Sequence, residues 1–200
     1  MTGIIDGLPV LDYVKDPAPG PSLSASLAHI LLSRSPQHAW MASARLNPAW
    51  EPDAMDPKQI VGTIAHAILL EGDHSRVEVI DAEDYRKKET QALRDRSLAS
   101  GKLPILVPRM GEVEAMVAAA RAQIAASEVP ELFSKSGHAE RTMIWADGIW
   151  WRSRPDWISH DGRVIADLKT TGNAEPGAWA RGPLNDYEFD LQAVLALRGA

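Results

Sequence analysis

The segment RPDWISHDGRVIADLKT, residues 154–170, places two carboxylates and a lysine inside what is otherwise the pattern of a β-hairpin. Asp161-Gly162 predicts a two-residue type I′ turn, because both central residues of that turn need positive φ and this pair adopts it readily. A symmetric turn at these two residues places Asp156 directly across from Asp167. This segment therefore predicts both the strand pairing in the last third of the chain and the position of the candidate site.

The two facing carboxylates need an explanation, because like charges opposite each other destabilise a pair of strands. Facing residues have Cα atoms about 4.5 to 5.5 Å apart, so both carboxylates can reach one Mg²⁺, which takes oxygen ligands at about 2.0 to 2.1 Å. Because side chains alternate along a strand, Lys169 shares the face of Asp167 and Leu168 points the other way. The alternative is a cross-strand ion pair between Asp156 and Lys169, which leaves Asp167 surplus.

The composition excludes several classes of site. The chain has no cysteine, which excludes disulfides, thiolate zinc sites, iron–sulfur clusters and a cysteine nucleophile, so a metal must take oxygen or imidazole ligands. The net charge of −6 argues against a basic surface all over, although one groove can still be locally positive. No basic leader and no long apolar run is present, so we expect a cytoplasmic protein that does not bind a membrane.

The pattern of the chain predicts one domain preceded by an arm. Residues 1–21 contain four prolines and little periodicity, so we expect them to be irregular. Residues 22–200 are predicted as a single domain of class α/β (α+β), in which a small mixed sheet with an antiparallel meander is flanked by helices. The meander turns at Asp147-Gly148 and Asp161-Gly162. Helices are expected over 24–33, 37–45, 57–71, 84–102, 109–127 and 187–197.

The two aspartates and the lysine of this hairpin, with three further sequence strings, resemble a known family. Pro155-Asp156, followed by Asp167-Leu168-Lys169, resembles the signature of the PD-(D/E)XK nuclease superfamily. The strings GTIAHAILLEGD, DLKTT and FDLQAVL resemble more narrowly the phage and prophage exonucleases related to exonuclease VIII (RecE-type). The resemblance covers about residues 22–198 and implies a restriction-endonuclease-like core.

The resemblance implies a metal site. Asp156 and Asp167 match the metal-binding acids of the family, and the backbone carbonyl of Leu168 matches a further ligand. His66 matches a histidine ligand of the narrower branch. The alternative for His66 is a hydrogen-bonded core residue, since a single histidine on an apolar helix is commonly one.

The resemblance also implies roles around the metal. Lys169 matches the lysine that positions or activates the attacking water, and Gln192 matches a glutamine that orients the lysine or the substrate. Glu71 matches a supporting acid. The second acid of the motif is aspartate here, where glutamate is commoner, and Ala196 occupies a position where many relatives carry tyrosine.

Five cations are candidates for binding DNA phosphates. Arg152 and Arg154 share the predicted face of Asp156 and can bind phosphates bidentately. Arg86, Lys87 and Lys88 begin a charged stretch for which a solvated helix face is the alternative.

The implied function is a Mg²⁺-dependent deoxyribonuclease in which Mn²⁺ can substitute, acting as an exonuclease on double-stranded DNA ends in phage-type recombination. A single-strand annealing protein and a second copy of the chain are implied partners. The alternatives are a restriction- or repair-type endonuclease and a catalytically inactive DNA-binding module with a nuclease-like core.

Two further expectations depend on the order of strands. A symmetric Asp147-Gly148 turn puts Glu140 on the opposite face of the sheet, so Glu140 is not predicted in the site. Nucleases of the superfamily continue the sheet with another strand after the motif helix. We therefore expect that the 200 residues are a truncated piece of a longer nuclease; the alternative is that another chain or an N-terminal segment such as 77–80 covers the edge of the motif strand.

Overall fold

The computed structural model describes residues 2–52, 55–181 and 189–200. Their contacts divide the chain into two compact units. The first unit comprises Met1–Asp53, Gly137–Asp167 and Thr171–Ala200, and the second comprises Ala54–Ser136 and Leu168–Thr170. The single domain predicted for residues 22–200 thus consists of two units, and the chain passes from one to the other inside the DLKTT string.

Three of the described helices begin at a residue whose side chain caps the first turn. In chain order they are α1 (Val10–Val14), α2 (Ala25–Ser33), α3 (Pro36–Ala42), α4 (Pro57–His66), which continues as a π-helical turn (Ala67–Glu71), α5 (Lys88–Ala99), α6 (Val107–Ala125), α7 (Pro176–Arg181) and α8 (Phe189–Gly199). Ser24 and Ser35 cap α2 and α3, and Asp56 forms a capping box with Gln59 at the start of α4. The start predicted for the last helix, residue 187, lies outside the described residues.

The described strands form three small sheets. They are β1 (Thr2–Ile5), β2 (Ser22–Leu23), β3 (Val77–Ile80), β4 (Leu103–Leu106), β5 (Gly137–Ala139), β6 (Thr142–Asp147), β7 (Ile149–Ser153), β8 (Trp157–Ser159) and β9 (Ile165–Ala166). The first unit contains a mixed sheet of order β1-β6-β7-β2 and an antiparallel sheet of order β5-β8-β9, and the second contains the parallel pair β3-β4. The predicted fold class, a small mixed sheet flanked by helices, is confirmed.

The N-terminal segment differs from the irregular arm expected for it. Strand β1 pairs antiparallel with β6, and α1 follows it. Asp16 is buried and accepts hydrogen bonds from the backbone and the hydroxyl of Ser22 at 2.7 and 2.6 Å. The order of this segment comes from pairing with strands more than a hundred residues away, which no local periodicity reveals.

The hairpin β8–β9 has the predicted register. Trp157 pairs with Ala166 and Ile158 with Ile165, so Asp156 and Asp167 each lie one residue beyond the last pair. The turn itself differs from the type I′ prediction. The Gly162 N–H donates to the Ser159 carbonyl at 2.9 Å, and Gly162 has a positive φ whereas Asp161 does not. The loop is longer by two residues, which leaves every side chain on its predicted face.

The hairpin β6–β7 has a register shifted by one residue from the prediction. Ala146 pairs with Trp150 rather than with Ile149, and Gly148 takes the turn with φ of +72°. A shift by one residue moves each side chain to the other face relative to its partner strand. The same shift continues into β5–β8, where the Glu140 N–H donates to the Asp156 carbonyl at 3.0 Å.

Each unit has its own core. In the first unit, α8 packs on β6 and β7 through Leu195, Met143 and Trp145. In the second, α4 and α6 pack on β4, and Leu168 is packed against that core. Residues 77–80 pair with β4, so the expectation that they cover the motif strand is wrong, and β9 is an edge strand among the described residues. None of the described helices is long and apolar enough to cross a membrane.

Candidate functional site

An acidic pair, Glu140 and Asp156, lies where β5 ends and β8 begins. Carboxylate oxygens of the two side chains approach within 4.8 Å, and both residues are half-buried. Glu140 has a φ of +55°, a conformation that costs free energy for a residue with a Cβ and is found disproportionately at functional sites. Two oxygens at this separation can bind one hard divalent cation.

Glu140 was missed by the sequence analysis. The predicted symmetric turn at Asp147-Gly148 placed it opposite Pro155, whereas the observed register places it opposite Asp156. Its exclusion from the site is therefore wrong. The sequence did show an acidic residue, Glu140, at the end of a meander strand. Whether that residue lies beside Asp156 depends on the register of the strand, which the sequence analysis predicted incorrectly.

Asp167 follows β9 and is held by the last helix. Gln192 on α8 donates its side-chain amide to the Asp167 carboxylate at 3.0 Å. The structure therefore brings together two residues that the resemblance named separately. This hydrogen bond fixes the orientation of the Asp167 carboxylate relative to α8.

Arg152 does not face a cleft, contrary to its predicted role as a phosphate contact. Its side chain is 4% exposed, and its Nη1 donates to the carbonyl and hydroxyl of Ser22 at 2.8 and 2.7 Å. The Asp16 carboxylate lies 3.4 Å from the same nitrogen. Strand β2 pairs with β7, so Ser22 of β2 lies within reach of Arg152 and supplies its acceptors. Arg152 is therefore a buried cation with a structural role.

Arg154 lies two residues further and is placed differently. Its Nε forms an ion pair with Glu140, and its guanidinium lies 5.8 Å from the ring centre of Tyr13. Its Nη1 is buried and has no hydrogen-bond partner among the described residues. A buried donor of this kind costs free energy unless a ligand or water accepts from it.

A cleft of about 390 Å³ lies beside Arg154, entirely within the first unit. We call it the Tyr13 cleft. Arg154 and Gln192 line it together with Tyr13, Ser24 and Ser26. Burial raises the pKa of Tyr13 to about 12, so its hydroxyl stays neutral. The cleft thus combines the guanidinium of Arg154 with neutral hydroxyl groups, next to Gln192, which binds Asp167. Tyr13, Ser24 and Ser26 lie in segments for which the sequence analysis predicted no functional role.

His66 ends α4 in the second unit and is half-buried. The π-helical turn begins directly after it and ends at Glu71, which is exposed. Gly72 then ends the helix in the left-handed region, with a φ of +64°, which glycine adopts without steric cost. The metal-ligand role of His66 and the supporting role of Glu71 stay predictions.

The segment Leu168–Thr170 approaches the helix of His66. A Cβ built on Gly62 would lie 2.9 Å from the Thr170 hydroxyl, closer than a methyl group and an oxygen tolerate. Leu168 packs on the apolar core that includes Ile64 of the same helix. The second unit therefore places half-buried Lys169 beside the helix that carries His66, and glycine at position 62 permits that approach.

Three predicted phosphate contacts lie at the start of α5. Arg86, Lys87 and Lys88 are all exposed, and Arg86 lies 3.2 Å from the Asp84 carboxylate. This placement agrees with a solvated helix face and leaves the side chains accessible to a polyanion. Their contact with DNA stays a prediction.

The donor set fits a hard divalent cation. Asp156 and Glu140 supply oxygens close enough to share one ion. Asp167 lies one residue beyond the last pair of the same ladder. Mg²⁺ and Mn²⁺ both prefer such oxygen ligands.

A comparison with known families agrees with this geometry. The model of a PDDEXK-like domain of unknown function (DUF3799) matches residues 27–196, which is most of the chain. No curated protein and no solved structure matches the chain significantly. The resemblance to the PD-(D/E)XK superfamily is confirmed, and the narrower resemblance to RecE-type exonucleases stays a prediction. Because this family model matches most of the chain, and because the two acids of its motif end the β8–β9 hairpin, the chain belongs to the family of PDDEXK-like domains.

Proposed function

We propose that the protein is a divalent-metal-dependent deoxyribonuclease that hydrolyses DNA phosphodiesters. The observation that carries the proposal is the approach of the Glu140 and Asp156 carboxylates within 4.8 Å, at the end of the hairpin whose other strand leads to Asp167. Neighbouring like charges repel each other, and a bound cation reverses the sign of that interaction.

The residues of the chain take distinct roles in this proposal. Asp156, Asp167 and Glu140 hold the cation, which supplies charge neutralisation at the phosphate and lowers the pKa of a bound water. Lys169, which matches the lysine of the family motif, holds the attacking water or removes its proton. Gln192 keeps the Asp167 carboxylate oriented through its 3.0 Å hydrogen bond.

Arg154 binds a phosphate of the substrate in this proposal. Its buried Nη1 has no partner among the described residues, and the Tyr13 cleft beside it can admit a phosphate group. A phosphate oxygen on that nitrogen gives a charge-assisted hydrogen bond and satisfies the donor. The ion pair with Glu140 holds the rest of the guanidinium in place.

The finer function rests on the resemblance. We propose an exonuclease that acts on double-stranded DNA ends in phage-type recombination, uses Mg²⁺ and accepts Mn²⁺, and works with a single-strand annealing protein. A cytoplasmic location follows from that role. A restriction- or repair-type endonuclease shares the same acids, and an inactive DNA-binding module shares the same fold, so both are outcomes of the test.

The test is incubation of the purified protein with linear and closed circular duplex DNA of one sequence, in Mg²⁺, Mn²⁺ or EDTA, with sizing of the products over time. We expect small products from linear DNA, intact circles and no cleavage in EDTA. Asp167→Asn serves as the inactive control. Cleavage of circles would assign an endonuclease, and DNA binding without cleavage in either metal would overturn the nuclease proposal.

A further inference from the structure

A π-helical turn interrupts the helix that carries His66. The α-helical part ends at His66, and Ala67–Glu71 continue with the wider π pattern. Short π segments are rare, and they occur frequently at functional sites because they redirect the side chains on either side. This turn joins two residues that the family resemblance names, His66 and Glu71.

The π-turn changes which side chains share a face. In an α-helix, residues five apart are rotated by about 140° from each other, because each residue turns the chain by about 100°. In a π-turn the hydrogen bonds join residue i to residue i+5, so residues five apart lie much nearer to one face than they do in an α-helix. His66 and Glu71 are five residues apart, so the π-turn brings them toward one side of the helix.

The turn has a support outside its own helix. Arg121 on α6 donates its Nη2 to the Ile68 carbonyl at 2.9 Å, across fifty-three residues of sequence. The same carbonyl accepts from the Gly72 N–H at 3.2 Å, and the Asp73 N–H reaches back to the Ala67 carbonyl at 3.2 Å. A guanidinium at the C-terminal end of a helix also interacts favourably with the helix dipole.

The arginine is anchored to a rigid part of the second unit. Val117, one turn before Arg121 on α6, is 4% exposed, and it shares the apolar core with Ile68, which is also 4% exposed. Arg121 also lines a small cavity together with Leu69 and Phe133. The donor is thus fixed relative to the carbonyl that it binds.

We propose that Arg121 is a positioning residue, which holds the π-helical turn open and thereby keeps His66 and Glu71 on one side of the helix for metal binding. The inference rests on the proposed function, because it takes the protein to bind a divalent metal, and it adds His66 as the ligand that the family resemblance implies. Without the guanidinium, the turn can relax toward α-helical geometry, and each residue after it rotates relative to His66. Metal affinity then falls although no ligand has been removed.

The test measures Mn²⁺ binding by calorimetry at a temperature where every variant is folded. Arg121→Met keeps the apolar stem and removes the guanidinium, and we expect about a tenfold weaker Mn²⁺ affinity, at the lower end of the effect of residues that orient ligands. Arg121→Lys keeps a cationic donor and should recover part of the affinity. Arg109→Met is the matched control on the same helix, where the guanidinium pairs with Glu112 at 2.6 Å, and should bind Mn²⁺ like the unaltered protein.

A double variant separates positioning from a purely structural role. If Arg121 acts through His66, the Arg121→Met change should have little further effect on Mn²⁺ affinity once His66→Ala is present. Equal losses with and without His66 would overturn the inference, as would unchanged affinity in folded Arg121→Met. Should Arg121→Met not fold, the same cycle with Arg121→Lys decides in the same way.

The outcome is distinguishable from failure of the proposed function. Unaltered protein that binds Mn²⁺ but cuts no DNA contradicts the nuclease proposal, while the coupling of Arg121 to His66 in Mn²⁺ binding still supports the inference.

Discussion

The two compact units show different contacts around their candidate functional residues. In the first unit, the acids and arginines make polar contacts, such as the bond from Gln192 to Asp167 at 3.0 Å. In the second, helix packing and the close approach that Gly62 permits set the segment of Lys169 beside the helix of His66. Substitutions at the polar contacts of the first unit should therefore act through charge, and a substitution at Gly62 should act through volume. Variants in both units can test that contrast, and the acid Asp167 should show the greatest effect.

Asp167→Asn should lower the rate of DNA cleavage in Mg²⁺ by about a thousandfold or more, because it removes a carboxylate on which the proposed cation depends. The fold should remain, since the oxygen of the new side-chain amide can still accept from Gln192. Without metal, the midpoint of thermal unfolding should be equal or higher, because repulsion with the other acids is relieved. Asp12→Asn, an exposed acid on α1, is the control. Wild-type cleavage by Asp167→Asn would refute the site.

Arg152→Met and Arg154→Met should separate stability from DNA binding on one strand. Arg152→Met should lower the free energy of unfolding by about 3 to 5 kcal/mol, because it leaves the buried Asp16 carboxylate without its cation. Arg154→Met should lose less stability, because the Glu140 side chain that it leaves unpaired is more exposed than the Asp16 side chain. Its DNA affinity should instead be weaker by about tenfold, with a salt dependence reduced by about one ion.

The measurements for this pair are urea unfolding and DNA binding at several salt concentrations, with Asp167→Asn present in every protein so that the DNA is not cut. Equal losses of stability in the two variants would show that Arg154 is as structural as Arg152.

Gly62→Ala should act through volume in the second unit. The new methyl group would meet the Thr170 hydroxyl at 2.9 Å, so the segment that carries Lys169 must move. We expect a loss of about 1 to 3 kcal/mol in stability and of about ten- to a hundredfold in cleavage rate. The rate is measured with linear duplex DNA and the stability by urea unfolding.

Two variants control this prediction. Gly111→Ala, on α6 with nothing within 4 Å, should be neutral or stabilising by about 0.5 to 1 kcal/mol. Adding Thr170→Ala to Gly62→Ala should restore part of the rate, because it removes the atom that the methyl group meets. Failure of that rescue would contradict the steric account.

Asp6→Asn should have the smallest effect and should depend on pH. Arg141 binds the Asp6 carboxylate with two hydrogen bonds of 2.7 and 2.8 Å, and this pairing holds the pKa of Asp6 below its ordinary value. A lowered carboxyl pKa contributes stability above the ordinary range near pH 4, and the contribution is lost as the pH falls through the lower folded pKa. Because Asp6 is 54% exposed, the contribution should be below about 1 kcal/mol.

The check is thermal unfolding of both proteins between about pH 2 and pH 7. The difference should be constant near neutral pH and vanish at the acid end. A difference that persists at the lowest pH would contradict the ion-pair explanation.

The caps and the second hairpin show what local sequence can predict. The side chains of Asp56 and Gln59 each accept a hydrogen bond from the other's backbone N–H, within four residues of sequence, so the start of α4 was predictable. The β8–β9 register was also predictable, although the turn type was not, because two more loop residues preserve the alternation of faces. The β6–β7 register was not, since a single glycine at position 148 closes that turn.

Residue types at short, regular spacings were enough to identify the superfamily, the starts of α2, α3 and α4, and the candidate acids Asp156 and Asp167. The tertiary structure was needed to show that Glu140 joins Asp156, that Arg152 is buried against Asp16, and that Arg121 supports the turn after His66. Each of these contacts joins residues distant in the chain. Strand register and the packing of side chains from different elements determine such contacts, and local periodicity carries no information about either.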